Sequence, residues 1–215
     1  MEIVPAILTA DKQDLKKKLA AVKTFAKKVQ IDVADGVFVK NKTLAVSEFG
    51  VFEEGLAFEI HLMVSDPAAS VAALESVLPG RSQGHLVIFH AEAVADAASV
   101  LQMIKKWGFK VGLAANPATP VKALTPFIDM ADMILFLSVK PGFQGRLLVP
   151  SVLVKAADFK KKYPKKIVGL DGGITEENLK SAATTGVDEI VVGSAVWQAK
   201  NPKEEYNKLK ALADS

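Results

Sequence analysis

A (β/α)8 barrel is the fold class that this 215-residue sequence predicts, and three observations predict it. Short apolar runs alternate with longer amphipathic stretches, and the alternation repeats eight times along the chain. The units recur at about 27 residues, a spacing that suits parallel strands joined by helical crossovers, since a tight hairpin cannot join parallel neighbours. No Gly/Ser/Pro-rich linker separates two units, and no glycine-rich dinucleotide fingerprint follows the first strand, which weighs against an open doubly wound sheet. The expectation is one α/β domain over residues 1–215, a TIM barrel near the small end of its class, in which any cover over the site must be a loop.

The strands are expected in "EIVPAIL", "KVQIDV", "AFEIHLMV", "HLVIFH", "FKVGLAA", "DMILFLSV", "KIVGLD" and "EIVVGS". Helix start signals follow most of them. Thr9 and Asp11 precede "LKKKLAAVKTFA", Ser65 precedes "DPAASVAAL", Thr119 precedes "PVKALTPF", and Thr175 precedes "EENLKSAAT". Pro120 is expected at the first helical position, where its missing N–H costs nothing. The longest loops, "DGVFVKNKTLAVSEFGVFEEG" and "VKPGFQGRLLVP", follow the second and sixth strands, where barrels of this kind carry their chemistry.

Half of the residues are apolar and the formal charge is only +3, which suits one large core. The lysines come in short runs such as Lys16 to Lys18 and Lys160 to Lys162, read as solvated helix faces; without interleaved aromatics they make a poor nucleic-acid footprint. Absence of cysteine excludes disulfides and thiolate metal sites, and leaves His, Asp, Glu and neutral oxygens as ligands. "MEIVPAILTADK" has neither a basic leader nor a long apolar run, so the expectation is a cytoplasmic protein with no membrane partner.

A barrel gathers the C-terminal ends of its strands around one pocket, so the ionisable residues there are the candidates for chemistry. They are Asp32 on the second strand, His61 on the third, His90 on the fourth, Asn116 after the fifth and Asp171 on the seventh, with Gly193 and Ser194 closing the eighth; His85 begins its strand instead. Asp32 and Asp171, on well separated strands, suit acid/base chemistry on two faces of one substrate, and a histidine between them suits a divalent metal. A lone strand-end aspartate also serves to cap a turn. The set argues for more, because gathering several charges is expensive unless something binds them. "LDGGITEEN" and "VVGSAVW" place small residues between strand and helix, so the N–H groups of Gly172, Gly173, Gly193 and Ser194 can converge on a phosphate.

With those residues in order, "VPAILTADKQDL", "IDVADGVFVKN", "EIHLMVSDP", "FHAEA", "GLAANPATP", "SVKPGFQG", "LDGGI" and "VGSAV" resemble the ribulose-phosphate 3-epimerase family from Ile3 to about Trp197. The resemblance implies a (β/α)8 barrel that interconverts ribulose 5-phosphate and xylulose 5-phosphate. It implies Asp32 and Asp171 as the acid/base pair, acting through an enediolate whose charge a Zn2+, Fe2+ or Mn2+ ion stabilises at Asp32, His61 and Asp171. Met63 matches a methionine under the enediolate, Gly172, Gly173, Gly193 and Ser194 match phosphate contacts, and Gly142, Phe143, Gln144 and Gly145 match the loop that closes over the substrate. Family members assemble as dimers to hexamers, which implies a homo-oligomer.

The departures fall at the pocket. Gln30 stands where the family has its first metal-ligand histidine, and as a neutral, hard amide it is the weaker candidate ligand. Ala6 replaces a serine that contacts substrate; Ala34 and Leu137 replace methionines; Val37 replaces a histidine; in the sixth loop Gln144 replaces a glycine and Arg146 a glutamine. Two other readings remain: a metal-free sugar-phosphate-binding barrel without catalysis, and an epimerase for another ketose phosphate. A related lyase or decarboxylase is disfavoured, because "DVADG" lacks the lysine of its Asp-x-Lys-x-x-Asp marker.

Overall fold

Period-two alternation along the strands decides where every side chain of this barrel goes. The computed structural model describes residues 1–52, 55–74, 76–78, 84–142 and 145–214. Its strands are β1 (Glu2–Ile7), β2 (Lys28–Ala34), β3 (Ala57–Met63), β4 (Leu86–His90), β5 (Lys110–Ala115), β6 (Met133–Leu137), β7 (Ile167–Asp171) and β8 (Glu189–Val192). The helices are α1 (Lys12–Val22), α2 (Pro67–Leu74), α3 (Ala97–Lys106), α4 (Val121–Leu124), α5 (Pro150–Lys162), α6 (Glu176–Ala183), α7 (Ser194–Trp197) and α8 (Pro202–Ala213). All strand pairs are parallel, in sequence order, and β1 closes on β8.

Odd members of β2 and even members of β3, such as Val29, Ile31, Phe58 and Ile60, face outward and join Leu15, Leu101, Phe159 and Leu209 in one core between strands and helices. Each such side chain contributes about 1.5–3 kcal/mol on burial, against the entropy of ordering the chain. The alternate positions fill the interior, where Val4, Leu86, Ile88, Met133, Leu135 and Val191 form a separate cluster. The interior is full: a Cβ on Gly169 would lie 2.3 Å from Met133 Cε, and one on Gly112 would lie 2.8 Å from Ile88 Cγ1.

Each expected strand is present within two residues of its sequence bounds. Helix entries differ in detail. Asp11 caps α1, its carboxylate accepting from Gln13 N at 2.7 Å. At α2 the cap falls to Asp66, which accepts from Ala69 N at 3.1 Å, while Ser65 is held by Asp35. Pro120 is the N-cap residue of α4, one place earlier than expected, and the Thr119 hydroxyl donates to Glu92. Thr175 caps α6, with its N–H donating to Asn178 Oδ1 at 2.9 Å. Among the described residues no helix is long and apolar enough to cross a membrane.

The inward positions near the strand starts carry charge. Lys28 Nζ bonds Glu189, meets Glu2 Oε2 at 2.9 Å and Glu59 Oε1 at 3.2 Å, while the Oε2 atoms of Glu59 and Glu189 are buried without a partner. One ammonium cannot neutralise three carboxylates, so burial and the charge of Glu189 push Glu59 up to about 8. A carboxyl raised from 4.5 to about 8 in the fold stabilises it fully below the lower value, and that contribution is lost as pH rises through the upper one. Glu59→Gln is therefore expected to flatten the fall of the unfolding free energy measured in urea between about pH 5 and pH 9, by an amount on the order of a few kcal/mol. A variant midpoint that falls as steeply as the parent's would exclude a proton on Glu59. His85, at the same end, accepts from Phe58 N at 3.2 Å, a structural role at the base of the barrel.

Candidate active site

Because side chains on a strand alternate, Gln30 and Asp32 both point inward from β2, and the register sets Asp32 directly beside His61 of β3. Asp171 ends β7 next to Leu137 and Val191. These residues meet across the barrel. Gln30 Nε2 donates to Asp32 Oδ1 at 2.8 Å and to Asp171 Oδ2 at 2.9 Å, and His61 Nδ1 lies 3.0 Å and 3.4 Å from the same two oxygens. Oδ2 of Asp32 and Oδ1 of Asp171 lie outside that network, and both residues line the cavity above it.

Behind His61 the polar chain continues. His61 Nε2 lies 3.0 Å from His90 Nε2, His90 Nδ1 lies 3.3 Å from Glu92 Oε2, and Glu92 Oε1 accepts from Asn116 N at 2.9 Å and from the Thr119 hydroxyl. Burial, the main influence, lowers His90 to about 4, so it is neutral near pH 7. Burial works against the charge of Glu92, but hydrogen bonds from His90, Thr119 and Asn116 prevail and bring it down to about 2. A charged Glu92 keeps the His90 proton on Nδ1, leaving Nε2 as acceptor for a proton on His61 Nε2. Burial also disfavours charge on His61, but hydrogen bonds to Asp171 and Asp32 outweigh it and hold the imidazole up at about 9. Asp32 is raised, chiefly by burial and also by the charge of Asp171, with His61 and Gln30 opposing. The site thus sets two carboxyls, from β2 and β7, against the same amide and imidazole.

The cavity wall comes from strand ends and loops. Ala6, Met63, Gly142, Gly145, Gly172, Gly173, Gly193 and Ser194 line it as the sequence led one to expect, as does Leu137, while Phe143 and Gln144 lie outside the described residues. Ala34 does not line it but is buried with Val39 and Met63, and Val37 is 77% exposed. Asp35 serves the turn, accepting from Val37 N at 2.8 Å, and ties it to Ser65 at 2.7 Å. Asn116 stays outside the cavity and works through Glu92. Arg146, Val191, Leu8, Val139, Pro141 and Ile174 complete the wall; the apolar residues among them give no signal of their own in a sequence.

The glycine turn after β7 is shaped by what presses on it. Gly172 and Gly173 have φ of 109° and 68°, and a Cβ on Gly172 would lie 2.3 Å from Val139 Cγ2. The Ser138 hydroxyl donates to Gly172 O at 2.5 Å, which ties the turn to the end of β6.

The match to known proteins covers nearly the whole chain. The model of the ribulose-phosphate 3 epimerase family matches residues 2–197. The chain belongs to the ribulose-phosphate 3-epimerase family. It is therefore an enzyme of the isomerase class. Relatives include the ribulose-phosphate 3-epimerases of Schizosaccharomyces pombe, 32% identical over 97% of this chain and 92% of that protein, and of Bacillus subtilis, 30% identical over 98% of each. Among solved structures, KGPDC from Streptococcus mutans in complex with D-R5P superposes with a TM-score of 0.72 over 99% of this chain and 96% of that one. At 12% identity that likeness bears on the fold alone.

The family is metal-dependent, so the donor set has to be tested against a divalent ion. Asp32, His61 and Asp171 each offer one ligand atom, and these lie within 4.8 Å of one another. Two carboxylates and one imidazole suit Zn2+, Fe2+ or Mn2+, and His90 supplies the outer hydrogen bond that a ligating histidine requires. Gln30 departs from the expected role in its orientation, since its nitrogen faces the carboxylates and its Oε1 is buried without a partner. Half a turn of the amide exchanges the two atoms and brings a fourth donor, an oxygen, to the set. The residues fit a divalent ion.

Proposed function

We propose that this chain epimerises D-ribulose 5-phosphate to D-xylulose 5-phosphate at C3 by proton transfer between Asp32 and Asp171. The observation that carries the reading is the pair itself: two carboxyls from β2 and β7, joined through Gln30 and His61, each with one oxygen outside that network and both lining the cavity. One carboxylate removes the C3 proton and the other carboxylic acid delivers a proton to the opposite face, so the roles exchange between the two directions. Burial raises Asp32 and so favours its protonated form, which suits it to donate in one direction. Asp32, His61 and Asp171, with Gln30 as the fourth candidate, would hold a divalent ion, which would supply Lewis-acid stabilisation of the negative charge that develops on the substrate.

The remaining residues hold the substrate. The N–H groups around Gly172, Gly173, Gly193 and Ser194 receive the phosphate, Gly142 and Gly145 belong to the loop that covers it, and Met63 packs beneath the reacting carbons, with Ala6 elsewhere on the same wall. Ala6 offers no hydroxyl to the substrate. Incubation with ribulose 5-phosphate in deuterated water, with Mn2+, Fe2+ and Zn2+ tested separately, is expected to give xylulose 5-phosphate labelled at C3. Neither product nor label with any of the three ions would end the epimerase reading. The metal-free binding reading draws on the Gln30 nitrogen seated between the carboxylates. About one equivalent of metal in purified protein, lost in Asp171→Asn, would dismiss it.

A further inference from the structure

We propose that Arg146 binds the substrate's phosphate, adding a charged side-chain contact to a cradle otherwise built from backbone N–H groups and one serine. The inference rests on the sugar-phosphate reading above. Among the described residues that line the cavity, Arg146 is the single lysine or arginine. The inner end of that cavity already holds Asp32 and Asp171. A phosphate dianion entering it faces two carboxyls, so a full positive charge near the mouth changes the balance more than neutral donors do.

Position argues for the phosphate end rather than the reacting end. A Cβ placed on Gly173 would lie 2.9 Å from Arg146 O and 2.6 Å from Leu148 N, so the backbone of residues 146 to 148 rests directly on the glycine turn. That contact needs a residue without a side chain at 173, and Gly173 also has φ of 68°. The loop after β6 therefore delivers Arg146 beside Gly173, whose N–H belongs to the proposed cradle. A guanidinium there presents a planar fork that matches two phosphate oxygens at once, which neither an ammonium nor an amide does. The glutamine of the family pattern at this position offers a neutral amide only. Arg146 itself is exposed while lining the cavity, so an entering anion can reach it from solvent.

The ligand class follows from the chemistry. Arg146 selects ketoses that carry a terminal phosphate monoester in its dianionic form, and makes their capture depend on ionic strength. A role limited to bracing the loop predicts neither effect.

The test compares Arg146→Gln and Arg146→Lys with the parent. KM and kcat for ribulose 5-phosphate are measured at low and high salt, and the affinity for inorganic phosphate is measured separately by calorimetry. Arg146→Gln is expected to raise KM roughly tenfold or more, to change kcat less than about threefold, to flatten the salt dependence of KM and to weaken inorganic phosphate by a similar factor. Arg146→Lys is expected to restore the salt dependence and only part of the affinity. An unchanged thermal midpoint in both variants separates lost binding from lost folding. Phosphate affinity in Arg146→Gln within twofold of the parent's, or a parent that does not bind inorganic phosphate, overturns the proposal. An inactive parent whose phosphate affinity still falls in Arg146→Gln rejects the epimerase reading and keeps the arginine contact. An active parent with phosphate affinity unchanged in the variant does the reverse.

Discussion

Asp171→Asn and Asp32→Asn are each expected to slow C3 inversion by about 10³-fold or more while leaving the barrel folded. Asparagine keeps an amide oxygen to accept from Gln30 Nε2, which now reaches both carboxylates, so the local hydrogen bonding survives. The proton does not. Burial raises Asp32, so the charged form is disfavoured there, and a neutral isostere is expected to leave the thermal midpoint unchanged or higher. Removing one carboxyl also has a signature that simple damage lacks. With Mn2+ in excess to keep the ion in a site that has lost one donor, the surviving carboxylate still reaches C3 from its own side, so each variant is expected to exchange deuterium into one of the two epimers and to invert neither. Asp32→Asn and Asp171→Asn should then label opposite epimers, read by NMR in deuterated water. Equal and modest losses in both variants, with labelling of both epimers, would show that the two aspartates are not a two-face pair.

Much of this was legible in the sequence because it depends on alternation. Once eight inward-facing strand ends are granted, Asp32, His61 and Asp171 have to share a pocket, and in the structure they do. The helix entries were less legible, since Ser65 and Asp66 are both good caps and only the tie from Asp35 to Ser65 decides between them. His90 could be listed but not placed. Its place depends on a side-chain contact between neighbouring strands, where His61 pairs with Ile88 in register and reaches His90 through ring nitrogens. The cluster around Lys28 was invisible for a related reason, because Glu2, Glu59 and Glu189 come from three different strands and converge only when the barrel closes. Arg146 was visible only as a departure from a pattern. Its closeness to Gly173 depends on how two loops pack, which no local spacing encodes.

Gln30→His is expected to strengthen divalent metal binding by at least about tenfold and to shift preference toward Zn2+. In the parent the amide nitrogen bridges the two carboxylates, and each hydrogen bond to a charged group contributes about 1.5–3 kcal/mol to the metal-free protein. A metal ion has to replace those bonds and recruits in return only a neutral oxygen from residue 30. The parent therefore stands on three ionisable donors plus an amide, a hard set that favours Mn2+ or Fe2+ relative to Zn2+ more than a two-imidazole set does. Histidine changes the balance through the ion: it has to lose a proton to bind, so its advantage grows with pH, and it then gives the ion a second imidazole, a stronger ligand than an amide oxygen. Stability reports this without any assay of turnover, since an ion that binds only the folded chain raises the midpoint by RT ln(1 + [M]/Kd). Saturating Zn2+ should raise the thermal midpoint of Gln30→His more than that of the parent, a chelator should lower it more, and the Zn2+ to Mn2+ affinity ratio should increase. Equal metal responses in the two proteins would place residue 30 outside the metal shell and leave its amide as a bridge that holds Asp32 and Asp171 together.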